Sequence, residues 1–190
     1  MADGIDEVLA SLARAFKKQK RHWYVFGAQA VVAWGVPRAT ADVDVTAAFD
    51  ESDLAPLLKT LGAAGFAIRD QALLSEFRRS RVVPLLHRRS RTPIDLIAAG
   101  SGLEKEFLAR SVPLKIGRTR VPVISLEDLI LTKLLAARPK DVEDVRQLIA
   151  LGNVDTKRVR LLLESVEEAV DSHHLVPAFD RLLNDATRRR

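Results

Sequence analysis

The chain has 190 residues, 47% of them hydrophobic, a formal net charge of +5 and no cysteine. That length and apolar content can fill one large core or two small ones. No stretch approaches the run of about eighteen apolar residues that a spanning helix needs, and disulfides, thiolate chemistry and cysteine-based zinc sites are excluded.

The opening Met1-Ala2-Asp3-Gly4-Ile5-Asp6 is acidic where a secretory signal is basic and then apolar, so the expectation is a soluble cytoplasmic protein. Apolar positions at Ile5, Val8, Leu9, Leu12 and Phe16 predict a helix over 4–18. Trp23 to Phe26 reads as a strand ending at Gly27, and 28–34 as a compact apolar helix closed by Gly35 and Pro37. Trp23 and Trp34 are assigned to the core around this strand and helix. Val43 to Ala47 is the second strand. Asp50-Glu51-Ser52-Asp53 is expected to cap a helix from about 52 to 63, which Gly62 and Gly65 end.

Further strands are predicted at 66–68, 82–86 and 94–98, with a short helix over 103–109. The segments 112–116 and 119–124 flank Gly117-Arg118, a two-residue loop with glycine first that suits a type II′ hairpin. From Ser125 onward the pattern is helical. Ser125-Leu126-Glu127-Asp128 caps one helix, Pro139 sits in the first turn of the next, and two more begin near 155 and 175. The expectation is an α+β fold, with a mixed-sheet core over 1–124 and a helical part over 125–190.

Asp42 and Asp44 concentrate the chemistry. Two carboxylates two residues apart in a strand share one face. They repel each other unless a cation joins them, so the pair reads as half of a divalent-metal site. The turn at Gly27 lets the backbone pass close to a ligand, and the helix beginning at Ala28 offers free N–H groups to a phosphate. Arg38 and Thr40 come just before the strand and are placed to touch the same ligand. Asp95, in Ile94-Asp95-Leu96, is a charged residue between apolar neighbours. It is either a solvent-facing edge residue or the third carboxylate of a site for two Mg²⁺ (or Mn²⁺) ions.

The charge is uneven. Arg69, Arg78, Arg79, Arg81, Arg88, Arg89 and Arg91 face only Asp70 and Glu76 across that segment, which therefore carries the whole net charge. Arginine suits bidentate phosphate contacts, and the alternative is a solvated basic face. Lys17, Lys18, Lys20 and Arg21 form a second basic cluster, and Arg188 to Arg190 a frayed end. His22, His87, His173 and His174 lack ligand spacing and are expected at the surface.

Phe26-Gly27-Ala28, a 13-residue spacer and Asp42-Val43-Asp44-Val45 resemble the signature of the nucleotidyltransferase superfamily of the polymerase-β type. Arg38-Ala39-Thr40-Ala41-Asp42-Val43-Asp44 with the downstream Thr132-Lys133-Leu134 and Lys140-Asp141-Val142-Glu143-Asp144 is similar, more narrowly, to the AbiEii/AbiGii toxin-like branch. The likeness spans about residues 22 to 150. The position of Ala28 is Gly or Ser in that family, and alanine brings no hydroxyl to a phosphate.

The resemblance implies a nucleotidyltransferase-like sheet with flanking helices, an NTP substrate, and Asp42 and Asp44 holding the metal that bridges its phosphates. Asp95 would serve the second ion and the attacking hydroxyl. Lys133 would neutralise the triphosphate; on spacing alone it is equally a snorkelling lysine on a helix whose buried stripe is Leu126, Leu129, Ile130 and Leu134. Asp144 would support the site, orienting Lys133 or the base-binding region, while Asp141 and Asp144 by themselves merely favour their helix N-terminus. The leading expectation is transfer of an NMP to an RNA acceptor, a tRNA 3′ end, by a toxin-like enzyme with a cognate antitoxin. Arg78, Arg79, Arg81, Arg88, Arg89 and Arg91 would contact that RNA. The alternatives are transfer to a small molecule such as an antibiotic, and a non-catalytic nucleotide- or RNA-binding partner.

Overall fold

Alternation of β-branched residues decides how this chain begins to fold. Val25, Val43, Val45, Val83, Ile94 and Leu96 fall on one side of their strands and are all fully buried. The structure, a computed structural model, describes residues 2–100 and 102–188. The described chain divides into two compact units, one of residues 1–33 and 38–124, the other of 34–37 and 125–190.

The first unit runs α1 (Ala2–Lys18), β1 (Trp23–Phe26), α2 (Gly27–Ala33), β2 (Val43–Ala47), α3 (Leu54–Ala63), β3 (Phe66–Ile68), α4 (Gln71–Ser75), α5 (Phe77–Ser80), β4 (Val82–His87), β5 (Pro93–Ala98), α6 (Leu103–Arg110), β6 (Val112–Ile116) and β7 (Thr119–Val123). Its strands form one seven-stranded mixed sheet in the order β3-β4-β5-β2-β1-β7-β6. β2 is antiparallel to β1 and parallel to β5. α1 packs on the apolar face, where Phe16 meets Trp23 with ring centroids 5.2 Å apart. On the opposite face, Tyr24 packs edge-on to Phe107 of α6. Burying each such side chain contributes roughly 1.5–3 kcal/mol.

The second unit comprises α7 (Leu126–Ala136), α8 (Pro139–Ala150), α9 (Thr156–Val170) and α10 (Leu175–Arg188), with residues 34–37 joined to it. Leu129, Ile130, Val145, Leu148, Val159, Leu163 and Phe179 form its core. Ser125 caps α7, its hydroxyl accepting from the Asp128 N–H and donating to the Asp128 carboxylate. The buried Glu167 accepts from the N–H groups of Leu175 and Val176 and so caps α10 across a turn.

Two expectations need correction. Asp53 does not cap α3, which starts at Leu54. Its carboxylate takes two hydrogen bonds from Arg21, at 3.0 and 2.6 Å, and Asp50 supplies the turn by accepting from the N–H groups of Ser52 and Asp53. His87 is not a surface residue. It is buried against Phe66, with Nδ1 2.9 Å from the Ser90 hydroxyl, because position 87 ends a strand on its apolar side. The arginine-rich segment holds α4, capped by Asp70, and α5, closed by Arg81 in a left-handed conformation. Trp23 is buried and Trp34 half-buried. In the hairpin loop Gly117 has φ +60° and Arg118 is not left-handed, as a type II′ turn requires. Arg189 and Arg190 of the expected frayed end lie outside the described residues, and Arg188 ends α10.

Candidate active site

Strand register assembles the site. Phe26 of β1 is paired with Asp44 of β2, Asp44 with Asp95 of β5, and Asp95 with Pro84 of β4. Directly paired residues point to one face, so Phe26, Asp44, Asp95 and Pro84 lie in a single row across four strands. Asp42, two residues before Asp44, shares their side of the chain. The neighbouring row, Tyr24 and Thr46, is buried. One step along, Asp44 and Asp95 are half-buried and Asp42 is exposed. The carboxylates thus stand where the cover of this face ends.

Gly27 follows the row directly, with φ +63°. A Cβ there would sit 1.9 Å from Oδ2 of Asp44. Glycine is favoured twice over, because it takes the left-handed backbone without strain and leaves the space that the Asp44 carboxylate fills. Ala28 and the half-buried start of the seven-residue α2 come next. Gln29 on that helix is buried and turns its amide towards the Asp42 carbonyl, 3.4 Å away. Thr40 donates its hydroxyl to Asp42 Oδ1 at 2.5 Å. Arg38 and Thr40, with Gln29, Val32, Ile5 and Ile116, line a cavity of about 600 Å³, whose lining includes none of the three carboxylates.

Asp95 is engaged as well. Its Oδ1 accepts from Nη2 of Arg69 at 2.6 Å, between groups that are each about one-third exposed. Among the described residues no three His, Cys, Asp or Glu side chains converge on one point as a ligand set. Asp42 is turned to Thr40, and Asp95 to Arg69. The donor set nevertheless fits a hard divalent cation. It consists of carboxylate oxygens alone, on adjacent strands in register, beside a glycine that leaves them room.

Lys133 and Asp144 belong to the helical unit. Lys133 is buried, and its ammonium lies 2.8 Å from Asp141 and 2.7 Å from Asp144. The lysine does not snorkel; both of its carboxylate partners are buried with it. Burial pushes the fully buried Asp141 carboxyl up, but hydrogen bonds from Arg138 and Lys133 outweigh it and hold the group below the usual carboxylate range.

The arginine run is partly consumed within the chain. Arg69 holds Asp95, and Arg78 pairs with Glu51, Arg89 with Glu7. Arg81 donates to the carbonyls of Ala98 and Ala99. Arg79, Arg88 and Arg91 are exposed. Local sequence marked Asp42, Asp44 and Asp95 as chemically interesting. It did not single out Arg69, which reaches its partner 26 residues away through strand register, or Gln29, a polar residue on a short apolar helix.

A family model described as nucleotidyltransferase of unknown function (DUF6036) matches residues 4–183. The solution structure of the antibiotic-resistance factor ANT(2'')-Ia is similar at 16% identity and a TM-score of 0.62, over 92% of this chain and 98% of that one. The lincomycin-bound lincosamide antibiotic adenylyltransferase LnuA is similar at 16% identity and a TM-score of 0.52, over 75% of this chain and 94% of that one. An antigenic nucleotidyltransferase-like protein from Paracoccidioides brasiliensis is similar at 18% identity and a TM-score of 0.53, over 94% and 93%. At these identities the likeness shows a shared nucleotidyltransferase-like α+β fold. No curated protein matches the chain.

Proposed function

Because the chain belongs to this family of nucleotidyltransferases, we propose that it moves an NMP from an NTP onto an acceptor hydroxyl at the row of carboxylates formed by Asp42, Asp44 and Asp95. The observation that carries this reading is the register of Asp44 with Asp95 beside a left-handed Gly27, whose missing Cβ leaves room for the Asp44 carboxylate. Asp42 and Asp44 would hold Mg²⁺ or Mn²⁺. When bound, such a cation offsets the repulsion between the carboxylates and the phosphate oxygens and favours in-line displacement at the α-phosphorus. Asp95, one strand over, would take part in holding the cation and accept the proton of the attacking hydroxyl. The hydroxyl oxygen then bonds to the α-phosphorus as the bond to pyrophosphate breaks.

Gly27 and Ala28 let the backbone approach the phosphates, and Arg38 and Thr40 face the ligand from the neighbouring loop. Lys133 and Asp144 receive a supporting role rather than one in contact with substrate, since the lysine's charge is already matched by two buried carboxylates.

For the acceptor, a small hydroxylated molecule is favoured. Two of the fold relatives are named for antibiotics, and Arg69 and Arg81 of the arginine run are committed to internal partners. Transfer to RNA by a toxin-like enzyme of the AbiEii type, held in check by an antitoxin, is the second reading. It rests on the exposed Arg79, Arg88 and Arg91, and on Arg78 and Arg89, whose exposed ion pairs contribute little and can exchange for phosphate.

The test is incubation with each α-labelled NTP, Mg²⁺ and either total RNA or a panel of hydroxylated antibiotics. Label on an acceptor that disappears with Asp44→Ala supports the proposal, and the labelled acceptor decides between the two readings. Growth arrest on expression, absent in Asp44→Ala, would favour the toxin. NTP binding without transfer to any acceptor would sink the enzymatic reading and leave the non-catalytic one.

A further inference from the structure

The transverse row continues beyond Pro84. β3 and β4 are antiparallel with Ile68 opposite Leu85, which sets Arg69 opposite Pro84. The Arg69 N–H donates to the Pro84 carbonyl at 2.8 Å. Proline has no N–H to return, so the ladder stops there and β3 ends at Ile68. Asp70, the next residue, already caps α4. Arg69 is therefore pinned by its backbone at a junction, on the same row as Asp95 and two strands away. Two strand spacings are about 9–10 Å, a gap that the long arginine stem crosses over the short proline ring to place Nη2 2.6 Å from Asp95 Oδ1.

This ion pair occupies the carboxylate that the proposed chemistry needs. A guanidinium and a divalent cation are alternative counter-charges for one carboxylate oxygen, and each is displaced at the cost of the other. The pair is about one-third exposed on both sides, so it is weak enough to open.

We propose that Arg69 is a positioning residue that competes with the cation for Asp95. It holds this carboxylate away from Asp42 and Asp44 while the site is empty and yields it when the loaded nucleotide arrives. The inference rests on the nucleotidyltransferase reading. It adds that the third carboxylate is recruited second, and it names the residue that withholds it. Arg69 also limits repulsion among three carboxylates on one face before a cation is present.

The test is a titration of nucleotide-free protein with Mn²⁺, with free ion followed by electron paramagnetic resonance and folding checked by circular dichroism. Arg69→Gln is expected to tighten Mn²⁺ binding by about tenfold, the low end of what a contacting opposite charge does to a carboxylate. Arg69→Lys, which keeps the charge, should stay close to the wild type. In an Asp95→Asn background, Arg69→Gln should have no effect, because the contest has lost its object. Equal affinity in wild type and Arg69→Gln would overturn the proposal. So would a gain that persists in Asp95→Asn, since it would be a general charge effect. Asp44→Asn separates the two levels. If it leaves Mn²⁺ binding untouched, the metal-site reading itself fails; if it abolishes binding while Arg69→Gln is silent, only the role of Arg69 does.

Discussion

The protein holds two clusters of opposite charges built on different terms. In the helical unit, Lys133, Asp141 and Asp144 are buried and every charge has a partner within 3 Å. In the sheet unit, Asp42, Asp44 and Asp95 are half-buried or exposed and share one face, and the Arg69–Asp95 pair is about one-third exposed on both sides. A buried, balanced cluster is costly to break and has little left to offer a ligand. A half-exposed, carboxylate-rich one holds the fold together weakly and can still exchange its partners for a cation. Under the proposed function, the contrast gives stability to the first cluster and chemistry to the second.

The strongest way to break that assignment is Asp44→Ala. It should lower nucleotidyl transfer by about a thousandfold, several kcal/mol of transition-state stabilisation, with little change in the denaturation midpoint. Label transfer and urea unfolding on one preparation check both halves. The reverse pattern is expected for Asp141→Ala. Leaving Lys133 and Arg138 short of a buried partner should cost about 3 kcal/mol of stability, whereas Asp95→Ala, at an exposed pair, should cost less than about 1 kcal/mol. Equal costs would erase the distinction.

Gly27→Ala sits between the two. The left-handed φ carries a strain of about 1–2 kcal/mol for a residue with a Cβ. The displaced Asp44 carboxylate should reduce transfer by roughly a hundredfold.

The smallest effects concern pH. The Asp141 carboxyl is held below its ordinary value, so its stabilisation is present above the unfolded carboxylate pKa of about 3.9 and is lost as pH falls through the folded value. His87 is pushed below the ordinary imidazole value by burial. The unfolded chain therefore binds the proton first, and stability that is complete above about pH 6.5 declines as pH falls below it. Unfolding curves between pH 5 and 8 should flatten in His87→Asn, and curves between pH 3 and 5 should flatten in Asp141→Asn.

Much of the site was legible along the chain because its signals are local. A two-residue spacing puts Asp42 and Asp44 on one side, and an apolar run ending in glycine marks the turn at Gly27. The elements not legible depended on partners distant in sequence. His87 looked like any isolated histidine until its strand turned it towards Phe66. Asp53 had the residue type and position of a helix cap, but Arg21 from the loop after α1 offered a charge-assisted pair instead. Lys133 was ambiguous between a phosphate ligand and a snorkelling lysine, because the choice turned on two aspartates of the next helix.

What the sequence determined by itself was the α+β class, the strands and most helix limits, and which carboxylates are candidates for a site. Periodicity and turn chemistry act over a few residues and need no tertiary contact to be read. Only the tertiary structure decided that Asp95 stands beside Asp44 and that Arg69 reaches it across Pro84. Register between strands is a long-range choice set by the burial of the opposite face, where Val43, Val45, Ile94 and Leu96 lose all contact with water. A slip of one residue would have exposed that face and turned the carboxylates inward.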